Sequence, residues 1–184
     1  MTRFFLALLV SLVALMAAPT GMARQDDERL KDLFTRLQAT QNVQEARAIE
    51  ALIWSIWFES GNETVNRLLE RGNEAMNRGQ MIDALAQFNS VIEIDPKLAE
   101  GWNRRATLLY LMGDLPSSLR DIDRTLELEP RHFGALSGLG LIRTNLDQVE
   151  AAIAAFERAM AINPHLVGGK ENLRELRRRI GRDI

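Results

Sequence analysis

Three prolines, Pro96, Pro130 and Pro164, stand 34 residues apart, each preceded by an acid or an amide in Asp95-Pro96, Glu129-Pro130 and Asn163-Pro164. A fixed period of this length marks a supersecondary unit that must stack on copies of itself, because one unit cannot bury its own apolar face. Aligned on the prolines, the first unit places Leu68, Gly72, Ala75, Ala84, Phe88 and Val91 where the second has Trp102, Ala106, Leu109, Ser118, Ile122 and Thr125. The third unit has Leu136, Gly140, Arg143, Ala152, Phe156 and Ala159 at the same places. A large residue followed four places on by a small one, as in Leu68 and Gly72 or Leu136 and Gly140, puts both on one helical face where a neighbour can approach closely. The second half of each unit pairs a small place with a bulky knob, Ala84 with Phe88, Ser118 with Ile122 and Ala152 with Phe156, again four apart. Gly79 and Gly113 fall where the first helix must end and reverse, which suits a left-handed C-cap. Pro116 lies near the start of the following helix, where its missing N–H is harmless.

Composition agrees with a helical reading. The 184 residues are 46% apolar and 26% charged with 6% aromatic residues, and Ala, Leu, Arg and Glu are abundant, which disfavours an all-β fold. The absence of Cys excludes disulfides, a thiolate nucleophile and Cys-ligated zinc.

Residues 65 to about 166 resemble the tetratricopeptide repeat, whose pattern runs W-x2-L-G-x2-Y, then A-x3-F, then P over 34 residues. The third unit departs from that pattern in two places, with Arg143 at a place that is usually Tyr or apolar and Asp147 where the others have Gly. The resemblance implies an all-α fold, a right-handed superhelix of antiparallel helix pairs with capping helices. Together with the signals at the two ends, it divides the chain into a signal peptide (1–23), an N-terminal helical hairpin (24–62), three repeats (65–98, 99–132 and 133–166, within 63–166) and a C-terminal capping helix (167–184).

The ends carry their own signals. Arg3, an apolar run from Phe4 to Ala18, and small residues at Gly21 and Ala23 have the three parts of a secretory signal, too short to span a bilayer as a helix. Cleavage is expected after Ala23, with Ala18 as the second candidate, giving a periplasmic or otherwise exported chain with no stable membrane insertion. Between residues 26 and 58, Leu30, Leu33, Phe34 and Leu37, then Ala46, Ile49, Ile53, Ile56 and Trp57, recur at helical spacing around a polar break at Asn42. This aromatic hairpin, with Trp54, Trp57 and Phe58, is expected to cap the first repeat. The alternative is an exposed surface that dimerises the chain. At the other end Leu173, Leu176 and Ile180 mark the packed face of a capping helix, with six cations and three acids from Lys170 to Asp183. The basic surface reads first as a solubilising outer face, with a patch for anionic lipid or an acidic polymer as the alternative.

In repeats of the resembled family, places 2, 5, 9 and 12 of each first helix line a concave groove that holds a peptide. Here those places are Asn66, Leu69, Asn73 and Met76, then Glu100, Asn103, Thr107 and Tyr110, then Gly134, Ser137, Leu141 and Thr144. Arg104 is one place off that face. Amides suit a peptide backbone because they both donate and accept. The family's dicarboxylate clamp needs Lys, Asn, Asn, Lys and Arg, whereas this chain has Leu69, Asn73, Arg104, Gly134 and Gly138 at those places. That leaves a neutral groove for a protein or peptide segment of an envelope protein, with Asn103→Ala expected to weaken binding and spare helicity.

Enzymatic readings find little support. His132 and His165 follow repeat prolines and are expected to be solvated turn residues, with no ligand partner on a shared helix. Ser137 lacks the G-x-S-x-G elbow, and Gly138 and Gly140 do not extend to a dinucleotide fingerprint. A formal charge of −2 disfavours nucleic acid. No catalytic residue, cofactor or metal is expected.

Overall fold

The computed structural model describes residues 27–182, so the expected signal segment and its cleavage after Ala23 lie outside the described residues. Within them the chain forms α1 (Arg29–Ala39), α2 (Val43–Phe58), α3 (Glu63–Asn77), α4 (Met81–Ile94), α5 (Ala99–Leu111), α6 (Leu115–Leu128), α7 (Phe133–Asn145), α8 (Val149–Ile162) and α9 (Gly169–Arg182), and no strand. The helix pairs α3/α4, α5/α6 and α7/α8 are the three repeats; each second helix packs on the first helix of the next pair.

Local chemistry sets where these helices start and stop. Asn42 accepts from the N–H groups of Gln44 and Glu45, and Asn62 does the same for Thr64 and Val65, satisfying donors that open a helix. Asp114 accepts from the Ser117 N–H ahead of Pro116 in the first turn of α6. The first helix of each repeat ends in one recurring way. Gln80, Asp114 and Gln148 donate their backbone N–H to the carbonyls of Ala75, Leu109 and Arg143, each at 2.9 Å. That closure requires a left-handed residue just before the donor, supplied by Gly79 at φ 75°, Gly113 at φ 82° and Asp147 at φ 56°. Asp147 therefore fills the glycine role, at the steric cost its Cβ carries.

The small places make room for the knobs. A methyl carbon added at Gly140 would lie 2.7 Å from the Phe156 ring, and one at Gly72 would collide with Phe88. In the middle repeat, where Ala106 stands at this place, the buried Ser118 hydroxyl donates to the Ala106 carbonyl at 2.7 Å. Arg105 joins adjoining repeats: it grips Asp121 with two N–H groups at 2.7 and 2.8 Å and donates to Asn89 at 2.8 Å. At the C-terminal end Leu173 and Leu176 of α9 pack with Ala152 and Phe156 of α8.

The N-terminal hairpin departs from expectation. It does not stack as one more layer on the first repeat. Leu30, Leu33, Phe34, Leu37, Ile49, Ile53 and Trp57 form one core with Phe133, joined by Ile162 and Leu166 of the third repeat. The reason is steric as well as apolar. Trp54 occupies the space above Gly134, where an added methyl carbon would stand 2.6 Å from its ring, so the absent side chain on α7 is the socket for α2. Polar contacts follow the same route, from Gln38 Nε2 to the Ala161 carbonyl at 3.1 Å, from Asn163 Nδ2 to Glu50 at 3.2 Å and from His165 Nε2 to the Thr40 carbonyl at 3.0 Å. The first repeat keeps a smaller share, through Phe58 against its core and Asn66 bonded to Ser60.

Gly140→Ala is expected to lower stability by roughly 1–3 kcal/mol through overpacking against Phe156. Urea unfolding followed by circular dichroism measures it; an unchanged midpoint would mean that the α7/α8 contact is looser than its geometry.

Candidate functional site

The first helices α3, α5 and α7 share the inner face of the stack, and the hairpin covers part of it. Where α2 crosses α5 and α7 lies a buried polar cluster. Glu100 and His132 are both fully buried, with His132 Nε2 3.0 Å from Glu100 Oε2. His132 Nδ1 accepts the Ala135 N–H at 3.0 Å, so the bonding pattern assigns the ring proton to Nε2, which donates to Glu100. Asn103 Nδ2 donates to the same carboxylate at 3.0 Å, and Arg104 pairs with its other oxygen. Above the histidine, the Trp57 ring stacks at 4.2 Å with 10° between planes, and Trp54 meets it edge-on at 5.5 Å. The Arg104 guanidinium lies 4.4 Å over the Phe58 ring and 5.6 Å over Trp54. Beside the cluster Arg131 grips Glu129 with two N–H groups at 3.0 Å and lies 4.5 Å over Phe34 of α1.

These positions correct the sequence reading. His132 is a sealed core residue rather than a solvated one, and His165 is half-buried on Thr40; neither is the free turn residue expected. Leu69 and Glu100 are buried rather than presented to a partner, and Asn103 turns its amide inward to Glu100. Trp57 is buried inside the molecule, with Trp54 and Phe58 half-buried beside it. Burial pushes the Glu100 carboxyl up, but the Arg104 charge and the His132 hydrogen bond outweigh it and hold the group below the usual carboxylate range. With both carboxylate oxygens engaged and no exposure to solvent, the Glu100–His132 pair is a structural clamp and offers a substrate no approach.

What the hairpin leaves open is a cleft of about 220 Å³ between α5, α6 and α7. Among the residues expected in the groove, Asn103, Thr107, Tyr110, Ser137 and Leu141 line it, together with Gly134. Ala106, Ser118, Ile122, Gly138, Ile142 and Leu166 complete it and were not singled out by the surface pattern, because they combine core places with a loop residue that follows α8. Thr107 is exposed with its hydroxyl donating to the Asn103 carbonyl at 3.0 Å, and Tyr110 accepts from Asn145 at 2.8 Å, which fixes the phenol at the rim. Thr144, whose hydroxyl is turned back to the Gly140 carbonyl, does not line the cleft. Asn66, Asn73 and Met76 belong to the first repeat and stand apart from it. Asn66 is occupied with Ser60, Asn73 Oδ1 is buried without a hydrogen-bond partner, and Met76 packs on the first-repeat core. Arg104 reaches the inner face but is held by Glu100 and the hairpin aromatics. Among the described residues no group of acids and histidines is placed to hold a metal ion.

Two outcomes follow from the clamp. Because its pKa is lowered on folding, Glu100 contributes stability above the unfolded carboxylate value, near 4.3, and that contribution is lost as pH falls through the lower folded value. Glu100→Gln is therefore expected to unfold at lower urea than the parent at pH 7, with the gap narrowing in acid; parallel curves at all pH values would contradict this. Trp57→Ala is expected to cost about 3–5 kcal/mol and to increase amide exchange in α1 and α2 before the repeats. Uniform exchange would show that the hairpin and the repeats open as one unit.

Comparison with known proteins agrees with this architecture. The tetratricopeptide repeat model matches residues 134–166. A TPR repeat-containing protein of Rhizobium etli is 37% identical over 137 residues, covering 74% of this chain and 67% of that protein. DnaJ homolog subfamily C member 3 of Bos taurus is 29% identical over 103 residues, 56% of this chain but only 20% of its own length. The first TPR of Spaghetti, solved bound to an HSP90 peptide, superposes with a TM-score of 0.62 at 20% identity, covering 65% of this chain and 94% of that one. The repeat period, the recurring cap and the Rhizobium relative lead to one conclusion: this chain belongs to the tetratricopeptide-repeat family.

Proposed function

We propose that this chain is an exported, non-enzymatic adaptor that holds a segment of an envelope protein in the part of its inner groove left open by the N-terminal hairpin. The observation that carries the reading is the cleft itself, a concave site of about 220 Å³ built from the faces of neighbouring repeats. Its lining is largely apolar with hydroxyl and amide groups at the lip, chemistry that suits a peptide more than a charged small molecule. Peptide binding by a related fold, the Spaghetti domain with its HSP90 peptide, supports the class of ligand. The charge pattern required for a dicarboxylate C-terminus is absent at Leu69, Gly134 and Gly138, so the segment held here is of different chemistry. Export is supported by Arg3, the apolar run Phe4 to Ala18 and the small residues Gly21 and Ala23. Among the described residues no helix is long and apolar enough to cross a membrane.

Asn103 is a poor probe of binding, because its amide serves the buried Glu100 carboxylate and its removal would disturb the clamp. Ser137 is better placed, half-buried at the cleft wall with no side-chain hydrogen bond among the described residues. Ser137→Trp should fill the cleft, preserve the helical spectrum and abolish retention of a partner that the parent captures from envelope extract. Equal retention by both proteins would refute the groove reading. N-terminal sequencing of the exported chain should begin at Arg24; a chain retaining residues 1–23 inside the cell would refute export.

A further inference from the structure

A second concavity lies at the opposite end of the stack from the first repeat, where α9 leans on α8. It is an open groove of about 520 Å³ lined by Met160 of α8 and by Lys170, Leu173, Arg174, Arg177 and Arg178 of α9. The four cations fall at i, i+4, i+7 and i+8 on one face of the helix and extend about 12 Å along it. Met160 is half-buried and Leu173 is 8% exposed, so the floor between the cations is apolar. The charges are not all neutralised internally. Arg177 reaches Glu157 at 2.7 Å and Arg178 pairs with Glu175, while Lys170 and Arg174 are exposed and have no ion-pair partner among the described residues.

We propose that this groove is a docking surface for an acidic amphipathic segment of a partner protein, one carrying carboxylates about a helical turn apart with an aliphatic side chain between them. Charge complementarity selects the acid: the unpaired cations Lys170 and Arg174 face one groove, and an incoming carboxylate gains attraction from them without having to displace an existing pair. The floor selects the aliphatic side chain, since Met160 and Leu173 offer a flexible and a branched apolar contact at the base. A lipid surface fits less well. Leu173 and Leu176, the apolar stripe of α9, are packed on Phe156 and Ala152, so only an edge of Leu173 is open at the groove floor and α9 lacks the broad apolar face that insertion among headgroups needs. The inference stands independently of the inner cleft, with which this groove shares no lining residue.

The test uses the chain from Arg24 onward and a fluorescein-labelled helical peptide with glutamates at i and i+4 and leucines between them, followed by fluorescence anisotropy. The parent should bind it, with affinity falling as salt rises. Lys170→Glu combined with Arg174→Glu should weaken binding at least roughly tenfold while leaving the helical spectrum and the urea midpoint in place. Ser137→Trp should bind as the parent does, which separates this surface from the inner cleft. Failure of the parent to bind, or undiminished binding by the charge-reversed variant, would overturn the proposal. Equal affinity for polyglutamate would remove the role of the apolar floor, and preference for phosphatidylglycerol vesicles over the peptide would replace the protein partner with a membrane.

Discussion

The stack of Trp57 on His132 is the contact on which the arrangement of this molecule depends. It places an N-terminal helix against the turn between the second and third repeats, and it seals a carboxylate, an imidazole and an amide away from water. A buried carboxylate without partners would carry a desolvation penalty of several kcal/mol. Here His132, Asn103 and Arg104 supply donors to both oxygens, and the aromatic hairpin supplies the lid. The hairpin and the polar cluster therefore require each other. Without Trp54, Trp57 and Phe58 the cluster would lie on the open inner face, and without Gly134 the hairpin would have no socket.

The repeats themselves were readable from the chain because their determinants are local and periodic. Gly72, Gly140 and the left-handed places at Gly79, Gly113 and Asp147 each act within one unit, and the same event recurs every 34 residues. Even Asp147, which breaks the glycine pattern, takes the same backbone conformation, because the reversal between α7 and α8 is dictated by packing at both ends. The helices of the N-terminal hairpin were also visible in the spacing of Leu30, Phe34 and Leu37 and of Ile49, Ile53 and Ile56. Their placement was not. Contacts such as Thr40 with His165 and Gln38 with Ala161 join residues far apart in sequence, and no period connects them.

The groove shows the same division between what periodicity encodes and what tertiary packing decides. Places on the inner face of α3, α5 and α7 were identifiable by helical spacing, and six of them, Asn103, Thr107, Tyr110, Gly134, Ser137 and Leu141, do meet in one cleft. Exposure along that face depends on what lies over it. Glu100 and Asn103 share the inner face with Thr107 and Tyr110, yet the first two are buried under the hairpin and the last two remain at the surface or rim. The misreading of His132 has the same origin: a residue after a repeat proline is normally in a solvated turn, but this one is the surface on which a distant tryptophan lands. One local sign did exist, the Glu100 and Arg104 pair four residues apart, although a helix-surface ion pair has the same spacing.

Occupation of the groove by the chain's own hairpin has a consequence for recognition. A ligand on an uncovered inner face could meet Glu100, Arg104 and the first-repeat amides at once. With α2 in place the ionic groups are taken up internally, and the cleft that remains offers Ile122, Ile142, Leu141 and Leu166 with a lip of hydroxyls. Unpaired positive charge in a concave setting lies instead with Lys170 and Arg174 on α9, outside that cleft. Charged and neutral concave surfaces are thus set apart on the molecule, and the neutrality of the inner cleft follows from one packing event. The hairpin that completes the core is also what removes charge from the groove.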